Sequence, residues 1–142
     1  MSRHDFSAAE FADRRARVRA ALREADLDWL IAIHPISIHW LTGSEAKSYQ
    51  EFQCLIVSAH SDTLVILARE GERNELLDDA LVDEVHGFGG GIAEDPIEAF
   101  ATLARRLGVF QGRVGLEVPA YYLHPHHYER LKARLGSALV AE

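Results

Sequence analysis

Residues 28–43 read D-W-L-I-A-I-H-P-I-S-I-H-W-L-T-G. Trp29 to Ile33 form an unbroken apolar run, and His34-Pro35 stops it. An apolar run without polar alternation predicts a strand buried on both faces, inside a sheet that helices cover on each side. Beyond the break, Ile36, Ile38, Trp40 and Leu41 make a short amphipathic piece that ends at Thr42-Gly43. Its apolar side chains would anchor one face. His39 and the polar stretch from Ser44 to Tyr49 are left for the other.

Working outward toward the N-terminus, Ser7-Ala8-Ala9-Glu10 has the spacing of a capping box, in which a hydroxyl and a carboxylate satisfy the first free amides of a helix. Phe6 and Phe11 have the spacing of the accompanying hydrophobic staple. The helix is predicted over about residues 8–26, with Phe11, Val18, Leu22 and Ala25 on one face. Toward the C-terminus, Phe52–Ser58 and Thr63–Ala68 are apolar runs separated by A-H-S-D, with Ser61 and Asp62, which reads as a hairpin with a longer loop. Glu72–Ala80 reads as a short helix and Val82–Phe88 as a strand. Asp95-Pro96-Ile97-Glu98 opens the next helix with a cap, a proline at the first position and an acid in the first turn. Gly108 closes that helix. Val114–Val118 reads as a strand, about 120–135 as a last helix with Pro125 in its first turn, and Ala138–Ala141 as a final strand. Helices alternating with buried strands, interrupted by one hairpin, predict an α/β fold: a mixed sheet, one antiparallel pair, helices on both faces.

The chain has 142 residues, 48% of them hydrophobic, enough for a single domain with its own core. Its net charge of −7 argues against nucleic acid, which demands a basic footprint. Arg14, Arg15, Arg17, Arg19 and Arg23 form the one dense basic run, expected as the solvated face of the first helix. Cys54 is the single cysteine, so no internal disulfide can form, and its apolar setting predicts a buried, inert thiol. There is no apolar stretch long enough to span a membrane. The N-terminus lacks the apolar core of a signal peptide, which points to a cytoplasmic protein.

Catalytic constellations are hard to find in the residues alone. Gly87-Phe-Gly-Gly-Gly91 has the wrong spacing for a dinucleotide loop, and Ile92–Asp95 separate it from the next helix. His124, His126 and His127 are good ligand types for zinc, copper or nickel. With no cysteine and only Glu129 close by, they are expected as a polar helix start with a histidine or two partly buried. Asp78-Asp79, Asp83-Glu84 and Glu94-Asp95 are adjacent pairs. Adjacent side chains diverge, so these are expected as solvated charges at element ends rather than a metal cage. No G-x-S-x-G elbow is present.

An arginine-rich first helix, the strand D-W-L-I-A-I, then S-I-H-W-L-T-G, the hairpin F-Q-C-L-I-V-S…T-L-V-I-L-A-R-E, the strand G-R-V-G-L-E and the helix Y-E-R-L-K-A-R-L-G follow in that order. From about Arg14 to Glu142 this resembles the N-terminal domain of the creatinase, prolidase and aminopeptidase P family of metallohydrolases. The resemblance implies a six-stranded mixed sheet of ribonuclease H-like architecture. It implies residues 1–142 as a single non-catalytic domain, with the catalytic pita-bread domain C-terminal to it and absent from this chain. An end flush with a strand is expected of a segment of a longer protein.

By the same resemblance, two divalent metal ions (Mn, Zn or Co) belong to the missing domain and no cofactor to this one. A homodimer is implied, in which the segment before Thr42-Gly43 reaches the partner's active-site mouth. His39, Ser44 and Tyr49 are then the substrate-facing residues, and Trp40 faces the core. Family members commonly carry an aromatic or hydrophobic residue after the glycine, where this sequence has Ser44. The family handles Xaa-Pro dipeptides, longer Xaa-Pro peptides, creatine and related amidines. Two other readings are kept: a peptidase-like protein-binding module without catalysis, and a stand-alone small-ligand domain. Five metal ligands in a C-terminal continuation would mean an enzyme. Their absence would mean a binder.

Overall fold

The computed structural model describes residue 4, residues 6–45 and residues 51–142. Helix α1 (Ala8–Glu24) begins as expected, with the Ser7 hydroxyl accepting from the Glu10 amide at 3.2 Å. The Glu10 carboxylate turns to Arg14 at 3.2 Å. Phe6 and Phe11 meet edge to face, their ring centres 6.4 Å apart, which closes the staple.

Strand β1 (Trp29–Ala32) follows, then helix α2 (Pro35–Thr42), the hairpin of β2 (Cys54–Ser58) and β3 (Leu64–Arg69), and helix α3 (Arg73–Asp79). Strand β4 (Glu84–Phe88), helix α4 (Pro96–Leu107), strand β5 (Val114–Leu116), helix α5 (Pro125–Leu135) and strand β6 (Leu139–Ala141) complete the chain. The six strands form one sheet in the order β4-β3-β2-β1-β5-β6. The decisive run of the sequence therefore lies near its centre. β1 runs parallel to β5, with Ile31 beside Leu116, and antiparallel to β2, with Ile31 beside Ile56.

A single antiparallel pair was expected, and β2 makes two, with β1 and with β3. β2 starts at the end of the sheet where β1 finishes, Leu55 beside Ala32, and so runs beside it in the opposite direction. β3 with β4 and β5 with β6 are parallel pairs.

Alternation along these strands divides the core into two layers. On one face Ile31, Cys54, Ile56, Val65, Leu67 and Val114 pack under Phe100 and Leu103 of α4 and Leu131 of α5. On the other face Leu55, Val57, Leu64 and Ile66 pack under Leu22 of α1, Ile38 and Leu41 of α2 and Leu76 of α3. Helices cover both faces, as the sequence predicts. Cys54 is fully buried in the first layer, and burial pushes its thiol pKa far up.

Two expectations need correcting. The arginines of α1 are not a solvated face. Arg14 is buried and donates to the Trp40 carbonyl at 2.9 Å. Arg15 and Arg19 reach Asp62 in the hairpin loop at 3.2 and 2.6 Å, and Arg23 reaches the Ala59 carbonyl at 2.6 Å. Arg17 does stay largely exposed. The apolar stripe of α1 is narrow, and the long arginine stems that flank it fasten the helix across the hairpin. The last helix also starts later than expected. His124 caps it through Nδ1, which accepts from the His126 amide at 3.1 Å, and Pro125 takes the first position.

Candidate functional site

The corner after β1 is built by local chemistry. The backbone amides of Ile33 and His34 both donate to Oε1 of Glu117, at 2.8 and 2.7 Å, and the Ser37 hydroxyl donates to Oε2 at 2.6 Å. One carboxylate beyond the end of β5 thus fixes the exit of β1 and the first turn of α2. His34 Nδ1 accepts from the Ile36 amide at 3.0 Å and Pro35 fills the first helical position, so α2 starts immediately. It stops at Gly43, whose φ of +79° suits glycine, and whose amide returns to the His39 carbonyl at 2.8 Å.

Helical periodicity then decides which side chains face out. Ile38 and Leu41 are buried against the sheet, whereas Ile36 is 71% exposed and Trp40 37% exposed. The expectation that Trp40 faces the core is therefore corrected, and so is the expectation that all four apolar residues anchor one face. Ile36 and Trp40 are four residues apart and share the outward side. Arg14 and Arg17 lie over the Trp40 ring, 5.1 and 5.4 Å from its centre.

His39 sits half-buried between these faces. Its Nδ1 lies 2.9 Å from the Ser44 carbonyl oxygen. A carbonyl only accepts, so Nδ1 carries the hydrogen and Nε2 of the neutral ring is left as an acceptor. Ser44 is itself buried, and its amide donates to the Thr42 hydroxyl at 3.1 Å. The Thr42 hydroxyl in turn donates to the Ile38 carbonyl at 2.7 Å. Ser44 therefore supports the ring of His39 through its carbonyl. Tyr49, the third residue predicted for this site, lies outside the described residues.

Two depressions meet at His39. One is a shallow groove of about 370 Å³ lined by Pro35, Ile36, His39 and Glu45. The other is a smaller pocket of about 70 Å³ lined by His4, Phe6, Phe11, His39, Gly43, Glu45 and Asp79. Asp79 was expected as a solvated charge. It is buried instead, with Oδ2 accepting from the Glu45 amide at 3.0 Å. Asp83 and Asp95 likewise serve backbone amides, those of Leu64 and Ile97, at 2.8 and 2.9 Å.

The histidines of α5 gather at its start, with ring centres 5.8, 6.0 and 6.5 Å apart. His124 and His126 are exposed, and His127 packs half-buried on Phe52. Burial, then the neighbouring His124 and His126, lowers the pKa of His127. Among the described residues, no group of three or more histidine, cysteine or acidic side chains could hold a metal ion. Among the described residues, the arrangement at His39 offers neither an activated nucleophile nor a dinuclear metal cage.

Residues 14–141 match the family described as the Creatinase/Prolidase N-terminal domain. The chain belongs to that family. Two curated relatives are each 25% identical to it. One is the "Uncharacterized hydrolase/peptidase y4tM" of Sinorhizobium fredii, over 92% of this chain and 35% of the relative, and the other the "Ectoine hydrolase" of Halomonas elongata, over 96% and 36%. The chain thus spans about a third of the length of the curated relatives it matches. A crystal structure of a proline dipeptidase from Streptococcus pneumoniae superposes with a TM-score of 0.74 at 18% identity, over 91% of this chain and 89% of that one. That likeness confirms the fold.

Proposed function

We propose that this chain is the non-catalytic N-terminal domain of a larger metallohydrolase that cleaves C–N bonds in Xaa-Pro peptides or small amidines. The observation that carries the reading is the family match over nearly the whole chain, combined with relatives about three times longer. The remainder of such a protein would hold the two divalent ions and the reacting groups, in a pita-bread domain. This domain would contribute to a homodimer and present the α2 corner to the partner's substrate site. His39 is then the group nearest the substrate, with Ser44 holding its ring and Tyr49 on the adjoining stretch. An imidazole at a pocket mouth excludes water and orients substrate without joining the chemistry.

The test is to express the full-length protein and chain 1–142 side by side. The full-length protein should bind divalent metal and hydrolyse an Xaa-Pro dipeptide or a cyclic amidine such as ectoine. The isolated domain should do neither. A full-length protein that binds no metal and hydrolyses none of these would favour a binding module and overturn the enzyme reading.

A further inference from the structure

The small pocket beside His39 is more specific than a surface dent. Asp79 in its wall is only 7% exposed. Its Oδ2 accepts from the Glu45 amide, and its Oδ1, which is buried, has no hydrogen-bond partner. A buried carboxylate oxygen without a donor is costly and calls for a partner. The rest of the wall adds a second carboxylate, Glu45, and two imidazoles, His39 and His4. The Glu45 carboxylate stands at the rim, and His39 Nε2 is the acceptor left by the Nδ1–H bond to Ser44. Arg14, which stacks on the pocket's Phe6 and Phe11, is engaged by Glu10 and the Trp40 carbonyl.

Two carboxylates in a wall without arginine or lysine disfavour an anion and select a compact cation that donates several hydrogen bonds. A primary ammonium has three donors on one atom. A metal ion is disfavoured, because three ligands do not come within one coordination shell among the described residues. Size narrows the choice further. At about 70 Å³ the pocket is half the size of an apolar cavity of about 150 Å³ that admits benzene. It has room for a methylammonium-sized head and not for a ring or a quaternary ammonium. The phenylalanine rings add apolar walls with negative faces.

We propose that this pocket binds a small primary ammonium group, the head of a free amine or the amino terminus of a short peptide. The inference stands on the pocket itself and holds whether or not His39 also faces a partner's substrate. Chain 1–142, labelled with ¹⁵N, is titrated with methylammonium chloride, glycylglycine and tetramethylammonium chloride at constant ionic strength. Saturable shifts of the Glu45 and Ala80 amides and the His39 ring nitrogens are expected with methylammonium, and none with tetramethylammonium.

Asp79→Asn keeps an acceptor for the Glu45 amide and should weaken binding about tenfold or more by removing a charge-assisted bond. If that variant does not fold, Glu45→Gln at the rim provides the same comparison. Tighter binding of glycylglycine than of methylammonium assigns a peptide terminus, and equal or weaker binding a free amine. Shifts that fail to saturate, that tetramethylammonium reproduces, or that survive unchanged in both variants overturn the proposal.

Discussion

At His39 the contact of Nδ1 with the Ser44 carbonyl orients the ring, and the left-handed turn at Gly43 lies between the two residues. A side chain at residue 43 would be strained at its φ of +79°, and a Cβ there would lie 2.6 Å from Nδ1 of His4. Gly43→Ala should therefore cost about 1–3 kcal/mol, read as a lower urea midpoint. An unchanged midpoint would mean that the corner relaxes freely. Cys54 offers an independent check. Fully buried and with its thiol held protonated, it should resist a thiol reagent under native conditions and react once urea unfolds the chain. Rapid native labelling would contradict the core assignment. Residue roles were unevenly legible in the sequence. The burial of Cys54 follows from its apolar neighbours. The burial of Asp79 does not, because its partner, the Glu45 amide, is 34 positions away, and adjacent acids look alike whether or not one of them turns inward.

Among the elements, α2 shows what local sequence can and cannot settle. His34-Pro35 and Gly43 mark its two ends. The inward face is not legible because four apolar residues in a helix of eight fit either side, and of the two outward ones Trp40 is covered by arginines from α1 while Ile36 stays exposed. The hairpin and the start of α4 were legible because turn residues and caps act within a few positions. The double antiparallel pairing of β2 was not, since it depends on where the chain re-enters the sheet.

Glu117 is the tie between elements that the sequence hid best. It appears there only as the last letter of G-R-V-G-L-E, 83 to 84 positions from the amides it binds. Glu117→Ala removes the acceptor for two amides and one hydroxyl, and the site is only partly exposed to water. The variant should lose about 2–4 kcal/mol, measured by urea unfolding, and its amide protection should fall first at Ile33 and His34. Uniform loss of protection across the sheet would argue against a local fastening role.

For the molecule as a whole, proton linkage sets the dependence on pH. The Asp28 carboxyl is held below the usual range by the Arg113 amide and then His60, and that of Glu84 by His86 and then Arg106. Burial opposes the lowering at Asp95, where Arg130 and the Ile97 amide prevail. The unfolded chain therefore binds more protons than the folded one near and below a pH of about 4, and stability falls as acid is added through that range. His127 acts in the same direction at higher pH. Its lowered pKa means that the fold holds the neutral ring, so stability declines as pH drops through about 6.5. Glu72, raised by burial, works the other way, because its protonation favours the fold as pH falls. The urea midpoint should decrease from pH 7.5 to 5.5, and His127→Gln should flatten that decrease. An equally steep decrease in the variant would remove His127 from the account.

In the proposed assembly, the α2 corner of one subunit would cover the substrate site of another, with His39 foremost. The most direct test is His39→Ala in the full-length protein, with metal content and steady-state kinetics measured on its true substrate. Intact metal content and dimerisation are expected, with kcat/KM reduced about ten- to a hundredfold, on the order of 1–3 kcal/mol. Unchanged kinetics in a folded, metal-loaded dimer would contradict that assembly and leave the corner a purely structural turn.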